Sequence, residues 1–167
     1  MPASWELRAA LPSDRELLFR VYASTRAEEL SVTGWSDAVK DAFLRSQFDA
    51  QDHYYHEVYP DATFDVILAD QVPVGRLYVA RGPHDVRIVD ISLLPAHRGH
   101  GIGTAIVHAM LEAAAAAGRS VSVHVELENR ARRLYDRMGF RLVETHGIYV
   151  LMERPLIPVA PLSTYLS

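Results

Sequence analysis

The sequence predicts a single α/β (α+β) domain built on a mixed, mostly antiparallel sheet of seven strands with helices on both faces. Three observations support this class. Strand-like and helix-like runs alternate in the order βααβββαβαββ. A glycine-rich turn joins the fourth strand directly to a long third helix. The chain of 167 residues has the length of one domain of ordinary size.

The first part of the chain is expected to form one strand and two helices. The strand is predicted over Trp5–Ala10, and Ser13 with Glu16 fits a capping box at the start of the first helix. Apolar residues at helical spacing predict a second helix over Ser36–Tyr59, and Pro60 would end it.

Three strand-like runs follow the second helix. They cover Phe64–Ala69, Val74–Ala80 and Val86–Leu94. The connections Asp70–Gln71 and Gly82–Pro83 are short and have turn composition. Short turns join neighbouring antiparallel strands, so these three strands are predicted to form a meander.

The last part of the chain returns to alternating elements. A helix is predicted over Gly101–Ala117, a strand over Val121–Leu127 and a short helix over Ala131–Met138. Gly139–His146 and Ile148–Glu153 are expected to close the domain as a strand pair. The domain is therefore predicted to span residues 1–155, followed by an extended, proline-containing tail over residues 156–167.

Composition excludes several classes of function. The formal net charge is −4, which disfavours nucleic acid as a partner. The chain has no cysteine, which excludes a disulfide framework, a thiolate zinc site and a cysteine nucleophile. No apolar run approaches the roughly 18 residues of a membrane-spanning helix, and the first residues lack the order of a signal peptide. A cytoplasmic protein with no membrane partner is expected.

The segment Leu93–Thr104 carries the clearest chemical signal. A strand ends, a turn containing Gly99, Gly101 and Gly103 follows, and a helix begins at once. Such a turn exposes backbone N–H groups, and the helix N-terminus adds partial positive charge. Together they predict an anion site suited to a pyrophosphate, with Arg98 as a charged donor at its mouth.

Three phosphate-binding patterns can be compared with this segment. A P-loop needs a lysine followed by serine or threonine after its second glycine, and these are absent. A dinucleotide fingerprint needs a third glycine where Thr104 stands, and it follows the first strand of a parallel unit rather than a meander. The pattern R-x-x-G-x-G matches at Arg98, Gly101 and Gly103.

A second motif lies further along, where Asn129–Phe140 reads NRARRLYDRMGF. With the glycine-rich segment, it makes the chain resemble the GNAT superfamily of acetyl-CoA-dependent N-acyltransferases over Trp5–Arg154. The family form of this motif is N-x-x-A-x-x-L-Y-x-x-x-G-F. Here Asn129 stands one residue closer to Tyr135 than in the commonest form. Both motifs occur in the family's order and on the expected elements.

The resemblance implies acetyl-CoA as the acyl donor and assigns residues to it. Its pantetheine arm would enter between the parted strands Val86–Leu94 and Val121–Leu127. Leu93 would offer main-chain hydrogen bonds to the arm, and Asn129 would contact it from the far side. The residues expected to hold the pyrophosphate through backbone N–H groups are Arg98, Gly99, His100, Gly101, Ile102, Gly103 and Thr104.

The resemblance also implies a reaction, in which a primary amine attacks the thioester directly within a ternary complex. Tyr135 would act as general acid, because a tyrosine of pKa about 10 can give a proton to a nascent thiolate. An acyl-enzyme is disfavoured, since the chain has neither a cysteine nor a G-x-S-x-G elbow. The base is open: His124 and Glu126 rank above Asp90 as catalytic candidates.

The acceptor is expected to bind against the first two helices, which cover the acceptor in this superfamily. Trp35, Tyr54 and Tyr55 are the candidate substrate-binding residues, and the nearby carboxylates of Asp52 and Glu57 suit a cationic amine on a small molecule or a peptide. The resemblance is compatible with a homodimer. No metal is expected, because the loop histidines lack a third ligand.

Other interpretations stay open at this point. Tyr135 also fits a core aromatic, His124 and Glu126 fit a solvated strand face, and Asp90 fits a structural or substrate-contacting role. The whole chain could be a non-catalytic acyl-CoA-binding module or sensor, or a transferase with another acyl donor. A Rossmann-type nucleotide-binding protein is disfavoured by the missing glycine and by the lack of room for a second half.

Overall fold

A mixed sheet of seven strands carries helices on both faces in the computed structural model, which describes residues 4–156. The predicted fold class and element order are confirmed. The elements are β1 (Trp5–Ala9), α1 (Arg15–Ser31), α2 (Asp37–Val58), β2 (Thr63–Ala69), β3 (Val72–Arg81), β4 (Asp85–Leu93), α3 (Ile102–Ala116), β5 (Ser120–Glu126), α4 (Ala131–Arg137), β6 (Arg141–His146) and β7 (Tyr149–Arg154).

The strand order is β1-β2-β3-β4-β5-β7-β6, and the one parallel neighbour pair in the described sheet is β4 with β5. That pairing covers Asp85–Ile88 against Ser120–Val123 and then ends. On the other side of β4, the register with β3 shifts at Val89, which has no partner of its own. Such a bulge bends a strand and increases its twist. Beyond Ile88, β4 and β5 therefore part and leave a gap in the middle of the sheet.

Each face of the sheet has its own apolar core. Leu18, Phe19 and Phe48 belong to the cluster that packs α1 and α2 on one face. Ile106 and Tyr135 belong to the larger cluster that packs α3 and α4 on the other face. Burial of each large apolar side chain contributes about 1.5–3 kcal/mol, so the sheet is held from both sides around the gap.

The start of α1 differs from the predicted capping box. Ser13 lies inside a short 3-10 turn over Pro12–Asp14, and no side chain of the described residues caps α1; Asp14 instead closes the turn before the helix. Its carboxylate accepts the Leu11 N–H at 2.7 Å and both terminal nitrogens of Arg8 at 2.7 and 2.9 Å. Arg8 and the Leu11 N–H together lower the pKa of Asp14 to about 2. These charge-assisted bonds stabilise the turn before α1, and the predicted reciprocal bonds of Ser13 and Glu16 are not formed.

The predicted tail over residues 156–167 lies outside the described residues except for Leu156. Within residues 4–156, no helix combines the length and the apolar character that crossing a bilayer requires.

Gly75 in β3 supplies a test of how closely β3 and β4 approach. A Cβ built there would overlap the Ser92 carbonyl oxygen and lie 3.2 Å from the Leu93 Cα, both backbone atoms of β4. We expect Gly75→Ala to lower the free energy of unfolding by about 1–3 kcal/mol, measured by urea denaturation. Gly103→Ala is the matched control, because nothing lies within 4 Å of its Cβ position in the first turn of α3. It should raise stability by up to about 1 kcal/mol. Equal stability of the two variants would contradict the close approach.

Candidate active site

The turn between β4 and α3 is shaped by two glycines. Gly99 and Gly101 have φ of 76° and 86°, the left-handed region that favours glycine. α3 begins at Ile102, and the first intrahelical acceptor is the Gly101 carbonyl, bonded by the Ala105 N–H at 3.0 Å. The N–H groups before Ala105 have no intrahelical partner, so they are free to bind an anion. Ile102 itself is buried, so only its backbone can face a ligand.

The Arg98 side chain is hydrogen-bonded within the protein, so it stabilises this turn and is not a free donor at the edge of the anion site. Its Nε donates to the Leu93 carbonyl at 2.9 Å, and its Nη2 donates to the Ser24 hydroxyl of α1 at 3.0 Å. The arginine thus ties the loop to the end of β4 and to α1. His100 and Thr104 are exposed beside it.

The edge of β4 that faces the gap offers backbone hydrogen-bonding groups. The Leu94 N–H donates to the Val74 carbonyl of β3 at 2.8 Å. Backbone groups of successive strand residues point to opposite sides, so the N–H groups of Leu93 and Ile91 point away from β3, into the gap. An extended chain lying in the gap would meet them as it would meet a neighbouring strand.

Tyr135 of α4 lies in the apolar core on the α3 and α4 face of the sheet. It is 2% exposed, and its ring meets Phe140 edge to face at 5.2 Å between centroids. Burial raises the pKa of Tyr135 above its ordinary value, and the Asp90 carboxylate raises it further. The ring of Tyr135 is therefore packed in the core, and its hydroxyl keeps its proton at neutral pH.

Asn129 caps α4. Its Oδ1 accepts the Ala131 N–H at 2.8 Å, which orients the start of the helix that carries Tyr135. This positioning role was not predicted from the sequence. The predicted contact of Asn129 with the pantetheine arm stays a prediction.

His124 and Glu126 project from the same face of β5, opposite to α3 and α4. His124 is exposed and lines a cleft on this face, whereas Glu126 is half-buried and does not line it. Partial burial lowers the pKa of His124, and Arg87 and His146 lower it further against the opposing effect of Glu144. The imidazole is therefore neutral at pH 7, the form that accepts a proton.

Asp90 lies in an ion pair that the sequence analysis missed. Its carboxylate accepts Arg76 Nη2 at 2.6 Å and the Ser92 hydroxyl at 2.7 Å. Arg76 is 2% exposed, and its Nη2 also donates to Gln51 Oε1 of α2 at 2.7 Å. These contacts favour the structural role for Asp90. The sequence did contain a signal for this pair. Arg76 stands in the middle of the apolar run of β3, and a buried charge there needs a partner of opposite charge.

The cleft beside His124 has a volume of about 620 Å³. It lies between α1 and α2 on one side and β4, β5 and the β6–β7 pair on the other. Of the predicted acceptor residues, Tyr54 and Tyr55 line it. Trp35 does not, because it packs edge to face on Phe43 at 5.4 Å near the start of α2. Tyr59 of the same predicted region also lines the cleft, whereas Tyr22 and Tyr149 were not predicted, because they lie far from this region in the sequence.

In the part of the chain that the structure describes, no three side chains of the metal-binding types come together to hold an ion. The expectation that the protein uses no metal stays a prediction.

Comparisons with known proteins agree on one family. The sequence model of the acetyltransferase (GNAT) family matches residues 26–140. No curated protein matches the sequence significantly. The fold is similar to PaiA N-acetyltransferase from Thermoplasma acidophilum in complex with coenzyme A, with a TM-score of 0.68, 18% identity and coverage of 91% of this chain and 99% of that chain.

Two further solved structures have the same fold. An acetyltransferase from Thermus thermophilus has a TM-score of 0.67 at 24% identity, over 93% of this chain and 100% of that chain. Ard1 from Thermoplasma volcanium has a TM-score of 0.60 at 20% identity, over 92% of this chain and 99% of that chain.

The ion pair between Asp90 and Arg76 can be tested by stability. Asp90→Asn would leave the buried guanidinium without a counter-charge, so we expect the free energy of unfolding to fall by about 3–5 kcal/mol. Glu126→Gln, at a half-buried carboxylate with no ion pair among the described residues, should change it by at most about 0.5 kcal/mol. Chemical denaturation of both variants measures the difference. An Asp90→Asn protein as stable as the parent would refute the structural role.

Proposed function

The chain belongs to the GNAT acetyltransferase family, and on that premise we propose that it moves the acetyl group of acetyl-CoA to a primary amine by direct attack in a ternary complex. One observation carries the proposal. The gap between β4 and β5 opens next to the N-terminus of α3, with the buried Tyr135 on one face and the cleft of His124 on the other. A donor and an acceptor could thus meet from opposite sides of one opening.

The donor site in this proposal follows the backbone. The pyrophosphate of acetyl-CoA would bind the N–H groups of the turn from Arg98 to Thr104, where partial positive charge accumulates. The pantetheine arm would lie along β4 and bond the backbone at Leu93. The similar PaiA structure holds coenzyme A, which supports the same ligand here.

The reaction then needs three proton transfers, two from the amine nitrogen and one to the departing thiolate. The amine arrives as an ammonium ion of pKa about 10.4 and must lose a proton before it attacks. Neutral His124 would accept that proton, directly or through water, and Glu126 is the alternative base. The amine nitrogen forms a bond to the thioester carbon, and a backbone N–H of β4 stabilises the oxyanion. The carbon–sulfur bond then breaks, and the Tyr135 hydroxyl gives its proton to the departing thiolate. The bonded nitrogen loses its second proton through water, which leaves a neutral amide and returns a proton to Tyr135.

The remaining assignments stay predictions. They are a small-molecule or peptide acceptor, a cytoplasmic location, a homodimer and acetyl rather than a longer acyl group. The main alternative is a module that binds acyl-CoA without turnover.

Tyr135 gives the test that separates an enzyme from a binding module. We expect Tyr135→Phe to lower kcat about 100- to 10,000-fold and to leave the KM for acetyl-CoA nearly unchanged, because the ring still packs against Phe140 while the proton donor is lost. Release of free coenzyme A thiol measures the rate, and the chain has no cysteine to raise the background. Calorimetric binding of acetyl-CoA is the control for an intact site. An unchanged kcat would reject Tyr135 as the acid, whereas tight binding without turnover of any amine would favour the module.

His124 gives the test of the base. Because its pKa is lowered from the ordinary value near 6.5, the neutral form should persist until the pH falls below that value. We expect kcat/KM for the amine to decrease as the pH falls through the His124 pKa, since imidazolium cannot accept a proton. His124→Gln should remove this acid limb of the pH profile and lower the rate. Glu126→Gln is the matched variant. Loss of the limb in Glu126→Gln alone would assign the base to Glu126.

A further inference from the structure

The cleft beside His124 is lined by basic side chains. Its charged side chains are the two arginines Arg26 and Arg87, with His124 and His146 as ionisable neighbours. Among the described residues, no aspartate or glutamate lines it. A site built for a polycationic amine would present carboxylates, and this one presents guanidinium groups.

The carboxylates expected to receive a cationic amine are engaged elsewhere. Asp52 lies 3.4 Å from Arg15 and 3.5 Å from His56, and Glu57 lies 3.4 Å from His53, all outside the lining of the cleft. The sequence placed them in the right segment, but α2 turns them away from the cleft.

Glu29, Glu126 and Glu144 lie close enough to act on residues that line the cleft, and two of these carboxylates are paired. Glu29 accepts Arg26 Nε at 2.9 Å, and Glu144 lies 3.0 Å from His146. Arg26 is thereby largely neutralised. Within residues 4–156, the charged side chain of the lining that contacts no carboxylate directly is Arg87.

Arg87 is held in place but contacts no carboxylate directly in the part of the chain that the structure describes. Its Nε donates to the Ser122 hydroxyl at 3.0 Å, and Ser122 donates in turn to Asp85 at 2.8 Å. These bonds fix the side chain. Across residues 4–156, no carboxylate forms an ion pair with Arg87, although the side chain is half-buried. A partly desolvated guanidinium with two unused nitrogens matches the two oxygens of a bound anion.

Arg87 also stands at the right place for catalysis. It precedes Ile88, the last residue of β4 that pairs with β5, and it lies about 7 Å along the strand from the Val89 bulge. His124 faces the same cleft from β5. When an amine binds at the opening beside His124, the groups next to its nitrogen would therefore lie close to the Arg87 guanidinium.

We propose that the acceptor is an amine with an anionic group close to its nitrogen, and that Arg87 binds this carboxylate or phosphonate. This inference rests on the proposed acetyl transfer. It names α-amino acids and aminophosphonates as the acceptor class. Polyamines and aminoglycosides are disfavoured, because like charges in a cleft without carboxylates repel.

The first arm of the test compares matched acceptors. Each L-amino acid is assayed against its own primary amide, and 2-aminoethylphosphonate against ethylamine, by release of coenzyme A thiol. We expect kcat/KM to favour the anionic member by about 10- to 100-fold. The amide has the more readily deprotonated amine, so intrinsic reactivity acts against this result. The amino acid and phosphonate arms distinguish the two sources of the anion.

The second arm tests Arg87 itself. Arg87→Gln should raise the KM for the favoured acceptor about 10- to 100-fold, leave the KM for acetyl-CoA unchanged and abolish the preference over the amide. Arg87→Lys should restore part of the binding, because it keeps a charge without the planar fork. Arg141→Gln, at an exposed position of β6, is the matched control and should behave like the parent. Calorimetry of the acceptor in the presence of coenzyme A gives a readout independent of turnover.

The outcomes separate the two proposals. Equal or better acetylation of the amides, or of polyamines, would overturn the anionic acceptor and leave the transferase intact. Binding of acetyl-CoA with neither acetylation nor calorimetric binding of any anionic amine would overturn it as well. A protein that neither binds acetyl-CoA nor acetylates any amine would instead refute the proposed function.

Discussion

The end of the pairing between β4 and β5 is the constraint on which the site depends. Only Asp85–Ile88 and Ser120–Val123 are joined, and the unpaired Val89 bends β4 away from its neighbour. In the interior of a sheet, backbone N–H and C=O groups are normally hydrogen-bonded to the neighbouring strands. Here the ladder stops in the middle of the sheet, so backbone donors are left for another molecule to use.

The surrounding structure keeps that opening in shape. The buried pair of Arg76 and Asp90 joins β3 to β4, and Gln51 extends the same network to α2. On the opposite face, Asn129 fixes the start of α4 and Tyr135 packs within the core. The opening is thus held by a polar network on one side and by apolar packing on the other.

The sequence predicted those parts of the molecule whose signals are local. The glycine-rich turn and the short helix with Tyr135 depend on contiguous residues, and the element order followed from periodicity. The charge of the cleft could not be predicted, because Arg87, His124 and His146 come from three strands and meet only after folding. Asp52 and Glu57 are close in sequence to Tyr54 and Tyr55, but that closeness did not show which side of α2 they face. Arg76 was hidden because its partner Asp90 belongs to another strand.

The division of the chain between the two sides of the opening has an evolutionary consequence. The gap, the anion-binding turn and Tyr135 all come from the continuous stretch from β4 to α4, residues 85–137. Much of the remaining wall of the cleft comes from both flanks of that stretch, α1 and α2 before it and β6 and β7 after it. Substitutions in the flanks can therefore change which acceptor fits while the anion-binding turn and Tyr135 stay the same, whereas a change at Arg87 alters the stretch itself.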